Sequence, residues 1–306
     1  MPRNILITGA AGYMFVFPSI SHQTDEQAKA LSIHGTNVLK LDLSDEHAVV
    51  NEISSHKISV VVHAANSIDP GLILPLINGL AKQKEATGKP TYFIHTSGLS
   101  AFYANSGWPR TINTDTDAVF ETEKEFVDSY PVRKTDVTVI EHAQAHGVTP
   151  FIVVPSIVYG RGTGPWNQLS VVIPGLIRAS LKLQKVYRFD ENISLQAVHI
   201  SDLTALYCRI IHAALNKEEI PSGKEGYYFA VVHDLDMWEF QDRLAAAIKA
   251  RGHFTATRPQ SIGWKPKWDR ERFLKNADAE IGGVVELGKA KSSLVDSLFA
   301  AVGRAR

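Results

Sequence analysis

Tyr130 and Lys134 stand four residues apart in the run "SYPVRKTDV". On a helix that spacing puts two side chains on one face, one turn apart. A phenol beside an ammonium can give a proton to, or take one from, a carbonyl or alcohol oxygen. Moving a phenol from a pKa of about 10 towards 7 takes roughly 4 kcal/mol of differential stabilisation, much of which a nearby ammonium in a partly dry site can supply. The same spacing also occurs on solvated helix faces, so context must carry the reading. Upstream, the apolar run "TYFIHTS" (Thr91 to Ser97) leads into "GLS". Ser97 and Ser100 are therefore candidate hydroxyls for polarising a carbonyl, although serines at a strand exit also cap loops.

Such a site needs elements that present it. Ile5 to Thr8 reads as a buried strand, and Gly9 and Gly12 follow it in "ITGAAGY". Glycines at this position allow a tight turn and let backbone N–H groups approach a pyrophosphate, yet a lone G-x-x-G also occurs at ordinary strand exits. Downstream, helical stretches alternate with apolar runs. Asp25–Ile33, Asp45–His56 (with Ser44 as N-cap), Pro70–Thr87 and Tyr130–His146 read as helices. Asn37–Leu43, Ser59–Ala65, Thr91–Ser97 and Pro150–Pro155 read as strands. This alternation predicts a Rossmann-type α/β fold, a doubly wound parallel sheet covered on both faces. Ligands in such sheets sit beyond the carboxyl ends of the strands, where Gly9, Ser97 and Asp42 all fall. Asp42 could accept a bond from an adenine amine or cap the helix that follows it.

After Gly160 the rhythm breaks into short elements rich in Gly and Pro. The expected organisation is a dinucleotide-binding domain over 1–160 and a smaller, mixed substrate lobe over 161–306 that partly returns to the first domain. Trp166, Tyr187, Tyr228 and Trp238 in that lobe suit either a ring-bearing ligand or a core.

Lys and Arg balance Asp and Glu at 32 each, which argues against a nucleic-acid partner. No apolar run reaches membrane-spanning length and the N-terminus lacks a signal-peptide pattern, so no membrane partner and a cytoplasmic location are expected. The single cysteine, Cys208, excludes a disulfide framework and reads as a core residue. No metal is expected: the twelve histidines show no metal-binding spacing, and His63 and His95 fall in buried strands.

With "LITGAAGY", Asp42-Leu43, "VVHAA", "FIHTSGLSAFY", the Tyr130–Lys134 pair, "VVPSIVYGRG" and "VHISDLTALY" in view, the chain resembles the extended short-chain dehydrogenases/reductases of the NAD-dependent epimerase/dehydratase group. It is similar to their atypical, fungal-type members. The resemblance covers nearly the whole chain. It implies a cofactor, NADP or NAD, held by Gly9, Ala11, Gly12, Tyr13, Asp42, Leu43, Ala64, Ala65 and Lys134. Pro155 and Tyr159 would line the nicotinamide end, and His199–Asp202 would form a hinge to the substrate lobe. Tyr130 would be the acid/base, Lys134 its partner, and the substrate a small carbonyl, alcohol or nucleotide-sugar-like molecule. A homodimer is compatible with the family.

The chain departs from the family pattern in four places. Phe15 stands where a third glycine belongs. Twelve residues separate Gly12 from Asp25, room for a helix or a strand but not both, and the phosphate-facing helix is the element expected to be missing; about His22-Gln23 then replaces the residue that chooses NAD or NADP. Gly98 occupies the usual place of the active hydroxyl. The connection from Gly252 to "IGWKPKW" is short. Two readings follow: an oxidoreductase or epimerase, or a non-catalytic sensor on the same fold.

Overall fold

The computed structural model describes residues 4–9, 19–22, 25–32, 37–183, 190–241 and 256–288. Its strands are β1 (Asn4–Thr8), β2 (Ser19–His22), β3 (Asn37–Lys40), β4 (Ile58–His63), β5 (Tyr92–Thr96), β6 (Thr149–Pro155), β7 (Ile157–Tyr159), β8 (Ser194–His199), β9 (Tyr227–Ala230) and β10 (His233–Asp236). Helices α1 (Asp25–Ser32), α2 (Glu46–Ser55), α3 (Leu74–Thr87), α4 (Val119–Glu125), α5 (Pro131–Ala145), α6 (Val172–Leu183), α7 (Ile200–Asn216), α8 (Met237–Gln241), α9 (Arg258–Ser261) and α10 (Arg270–Leu287) complete the described elements.

Seven strands form one parallel sheet in the order β3-β2-β1-β4-β5-β6-β9. The order reverses at β1, so the crevice between the exits of β1 and β4 is the switch point where such sheets take ligands. β4, "ISVVVH", is almost wholly apolar because it is buried on both faces. On one face Leu6, Val61, Phe93 and Ile152 pack with Val49, Ile53, Leu76, Leu80, Val137 and Ile140 of α2, α3 and α5. On the other, Ile7, Val62, Ile94, Phe151 and Val153 pack with Leu203, Leu206, Tyr207 and Ile210 of α7. Each such side chain contributes about 1.5–3 kcal/mol on burial. Turn chemistry frames the helices. Pro75 enters α3 in its first turn, where its missing N–H costs nothing, and Gly88 ends that helix at φ 63°.

Some expectations need correction. Asp45, not Ser44, caps α2, accepting from the Ala48 N–H at 3.0 Å. Ser44 is unavailable because its hydroxyl and its own N–H both go to Asp42. Cys208 is exposed rather than in the core, because Tyr207 takes the inward position on α7. Of the two elements competing for the residues after Gly12, the strand is present as β2. The expected C-terminal helix, the Gly252 connection and Tyr187 lie outside the described residues. No helix among them is long and apolar enough to cross a membrane.

The second half of the chain both adds to the first and builds its own sheet. β9 closes the parallel sheet beside β6, while β8 pairs antiparallel with β10 and parallel with β7. Two buried carboxylates tie the segment after residue 255 down. Asp115 accepts from the backbone N–H groups of Phe229 (3.2 Å), Thr257 (2.9 Å) and Arg258 (3.2 Å). Asp202 accepts from those of Lys267 and Trp268, each at 2.9 Å. Asp115→Ala would leave two buried donors and one partly buried donor without their acceptor, and is expected to lower unfolding stability by about 3 kcal/mol in chemical denaturation, with Asp115→Asn losing less.

Candidate active site

The site assembles where three strand exits meet the start of α5. After β1, Gly9 has φ +74°, and a Cβ built there would stand 2.7 Å from the Ala64 carbonyl and the Ala65 Cα. Only glycine lets the β1 exit lie against the β4 exit in this way. The Ala64 N–H donates to the Thr8 carbonyl at 3.2 Å, which locks the two exits together. Ala65 is exposed at this crevice and Ala64 half-buried. Further along, Asp42 is exposed. One carboxylate oxygen accepts from Ser44, and that bonding holds its pKa below the usual carboxylate value. Leu43 beside it is half-buried. Ala11, Gly12 and Tyr13 lie outside the described residues.

Tyr130 is not on a helical face. It is the N-cap of α5, with an extended backbone at φ −153° and ψ 127°. Pro131 explains this: proline disfavours the helical region for the residue before it and is itself favoured at the first helical position. Tyr130 and Lys134 therefore share the beginning of α5 instead of one of its faces. Lys134 is exposed, and no hydrogen bond or ion pair of its ammonium occurs among the described residues. Tyr130 is half-buried, and its hydroxyl donates to the exposed Ser100 Oγ at 3.3 Å.

The two candidate serines have different environments. Ser97 is buried, and its hydroxyl donates to Asp136 Oδ2 of α5 at 2.5 Å. Ser100 is exposed, in the single turn Leu99–Phe102 that follows Gly98. A Cβ at Gly98 would stand 3.8 Å from Ser100 Oγ. The Ser100 hydroxyl thus sits beside the place that a side chain at 98 would fill. Pro155 is buried at the end of β6. Tyr159 is also fully buried, inside the second half of the chain, where it meets His233 Nε2 at 3.1 Å and packs edge-on to Phe273. In that seat the aromatic core around Tyr159 leaves it no exposed face.

Beneath the site lies a layer of buried polar residues, of which the sequence singles out His63 and His95, as residues of buried strands, but not Thr8, Glu123, Arg133, Asp136 or Tyr227. On the face of the sheet beneath α4 and α5, Thr8, His63, His95, Ile152 and Tyr227 lie in one cross-strand row, each the partner of the next. His63 bonds Thr8 Oγ1 at 2.7 Å through Nδ1 and the Asn66 carbonyl at 2.9 Å through Nε2. A carbonyl can only accept, so its partners assign the proton to Nε2, and Thr8 donates to Nδ1. Burial, and then the neighbouring His95, push His63 down to about 3. His95 Nε2 stands 3.3 Å from Asp136 Oδ1. Glu123 of α4 accepts from the Tyr227 hydroxyl at 2.5 Å, and burial together with the Asp136 carboxylate raises it well above the usual carboxylate range. Arg133 is also buried, and donates to Ala101 and Ser129. The sequence offered one usable signal for this row: a polar residue at the same place in successive apolar strands.

The comparisons with known proteins agree at the level of fold. No family model matches the chain, and neither does any curated protein. Solved structures do match, and they place the chain in the fold of the NAD-dependent epimerase/dehydratase-type short-chain dehydrogenases/reductases. Vestitone reductase from alfalfa superposes with a TM-score of 0.63 at 16% identity, covering 93% of this chain and 98% of that one. A methylglyoxal/isovaleraldehyde reductase from yeast, complexed with NADPH, gives 0.63 at 11% identity, with 93% and 99% covered. UDP-glucose 4-epimerase from Thermotoga maritima, with UDP-glucose, gives 0.59 at 15%, with 92% and 99% covered.

The His63 environment sets a pH dependence. Its folded pKa lies below the usual value of 6.5, so the stability it contributes is present above pH 6.5 and is lost as pH falls towards about 3. Between pH 7 and pH 5 this one group accounts for a loss of about 2 kcal/mol. Denaturant titrations of His63→Gln are expected to show lower stability at pH 7 but a pH dependence shallower by about that amount.

Proposed function

We propose that the protein is an NAD(P)-dependent oxidoreductase acting on a small carbonyl or alcohol, with Tyr130 as the acid/base and Ser100 as the polarising hydroxyl. The observation that carries this is the 3.3 Å bond from the Tyr130 hydroxyl to Ser100 Oγ at the mouth of the parallel sheet. The described cofactor residues fit a dinucleotide. The Gly9 turn at the switch point leaves only backbone to meet a phosphate, and the Asp42 carboxylate is exposed at the exit of β3 for an adenine amine. The structural neighbours complexed with NAD or NADPH support the same cofactor class. When bound, the nicotinamide would supply or accept the hydride. Tyr130 then moves the proton at the substrate oxygen and Ser100 holds that oxygen in place. Lys134 contributes positive charge at the start of α5, where the N–H groups of the first turn add to it. Residues 1–160 would carry the cofactor and 161–306 most of the substrate contacts, with β9 returned to the first unit.

Ser100 takes the role that a hydroxyl at position 98 would otherwise have, since Ser97 is engaged with Asp136. Saturable NADPH or NADH binding, read by tryptophan-to-nicotinamide energy transfer, is expected for the wild type and for Tyr130→Phe alike. Turnover of a carbonyl panel by Tyr130→Phe is expected to fall by about 10²-fold or more. Ser100→Ala is expected to fall by about 10-fold or more and to recover in part when Gly98→Ser is added, because the position is extended and open. An undiminished rate in Tyr130→Phe would sink the proposal.

One observation favours the second reading, a non-catalytic dinucleotide-fold protein. β1 ends at Thr8 and β2 begins at Ser19, a connection shorter than the dozen or more residues a parallel crossover ordinarily takes. Absence of binding by either cofactor would favour that reading.

A further inference from the structure

Arg133 lies between Tyr130 and Lys134 in sequence, and its side chain is fully buried. It makes no ion pair with a carboxylate among the described residues; its donors go to groups on two separate segments. Nε donates to the Ala101 carbonyl at 2.9 Å, and Nη2 donates to that same carbonyl and to Ser106 Oγ at 3.2 Å. Nη1 donates to Ser129 Oγ at 2.6 Å. Ala101 follows Ser100, and Ser129 precedes Tyr130. The guanidinium carbon also stands 5.2 Å from the Trp108 ring centroid and 5.7 Å from that of Tyr130. One rigid fork therefore grips the neighbours of both members of the hydroxyl pair and lies against the ring of one.

We propose that Arg133 is the positioning residue of the Ser100–Tyr130 pair. It fixes the distance between the two hydroxyls by tying the turn after β5 to the entry of α5. It also keeps a positive charge beside the ring whose oxygen bears negative charge while the proton moves. Lysine could replace the charge but not the planar array of donors. Burial lowers the pKa of this guanidinium, opposed by the charges of Glu123 and Tyr130, and an arginine remains protonated throughout. The other charged or titratable groups on these elements include Glu123 of α4, Asp128 in the turn before Tyr130, Lys134 and Asp136 of α5, and His95 of β5. None of them bonds the phenol among the described residues.

This inference rests on the proposed reaction, and two readouts separate its failure from that of the reaction. The first is ¹³C-tyrosine NMR, with the Tyr130 resonance assigned by its loss in Tyr130→Phe. The resonance is expected to shift in Arg133→Gln and in Ser129→Ala, a surface variant that removes one anchor of the fork and is expected to fold even where Arg133→Gln does not. This measurement needs no turnover, so it holds or fails on its own. The second is kinetic. Ser129→Ala is expected to lower kcat by about 3- to 10-fold with cofactor binding and KM unchanged, and to have no further effect in a Ser100→Ala background, because both act through one pair. An unmoved Tyr130 resonance in Ser129→Ala would overturn the proposal. So would kinetic effects of Ser129→Ala and Ser100→Ala that simply multiply.

Discussion

The rotation of α5 about its own axis is set by polar groups buried on the sheet beneath it. Thr8, His63, Ser97 and Tyr227 cannot be left dry without partners, since an unpaired hydroxyl or imidazole in an apolar interior costs several kcal/mol. His63 finds partners within the strand exits, in Thr8 and Asn66. Ser97 and Tyr227 find theirs in Asp136 and Glu123, which the two helices bring down onto the sheet, and His95 Nε2 stands 3.3 Å from Asp136 Oδ1 without a hydrogen bond. Residues 133 and 136 lie three apart and so fall on one side of the helix. Once Asp136 faces the sheet, Arg133 must face the turn after β5, and Lys134 is carried to the exposed edge.

The same constraint decides the charge of the interior. Two carboxyl groups sit close together in a dry space, and they cannot both ionise cheaply. Glu123 is the one pushed up, by burial first and then by the neighbouring Asp136 carboxylate. Arg133 supplies the opposite charge nearby.

Much of the architecture could be read from residue patterns. The buried runs of β1, β4, β5 and β6 are long and apolar, and the helices between them have clear periods, so the parallel sheet was expected and found. The strands β7, β8 and β10 were not, because polar residues interrupt β8 and β10, β7 has only three residues, and their partners are distant in sequence. Cys208 and Tyr207 show a different limit: an apolar helix pattern gives a face only to within a residue, and the larger ring took the inward position. Within the site, Tyr130 and Ser100 were legible by type. The end of β5 marked Ser97 equally well, and only Asp136, thirty-nine residues on, separates the two serines. Arg133 was invisible for the same reason: an arginine beside a lysine at a helix start reads as a solvated surface.

The distinction between the serines follows from counting protons. A serine hydroxyl has one proton to give and two lone pairs to offer. Ser97 gives its proton to Asp136, so towards the mouth it can only accept. Ser100 accepts from Tyr130 and keeps its own proton to donate. A substrate carbonyl, which has no proton, can therefore be gripped by Ser100 and not by Ser97, whereas a substrate alcohol could also donate to Ser97. The bond of 3.3 Å is long for a hydroxyl pair, as is common in a free site before substrate draws the groups together. In the proposed reaction Ser100 donates its free proton to hold the substrate oxygen, while Tyr130 gives that oxygen its proton in reduction and takes it back in oxidation.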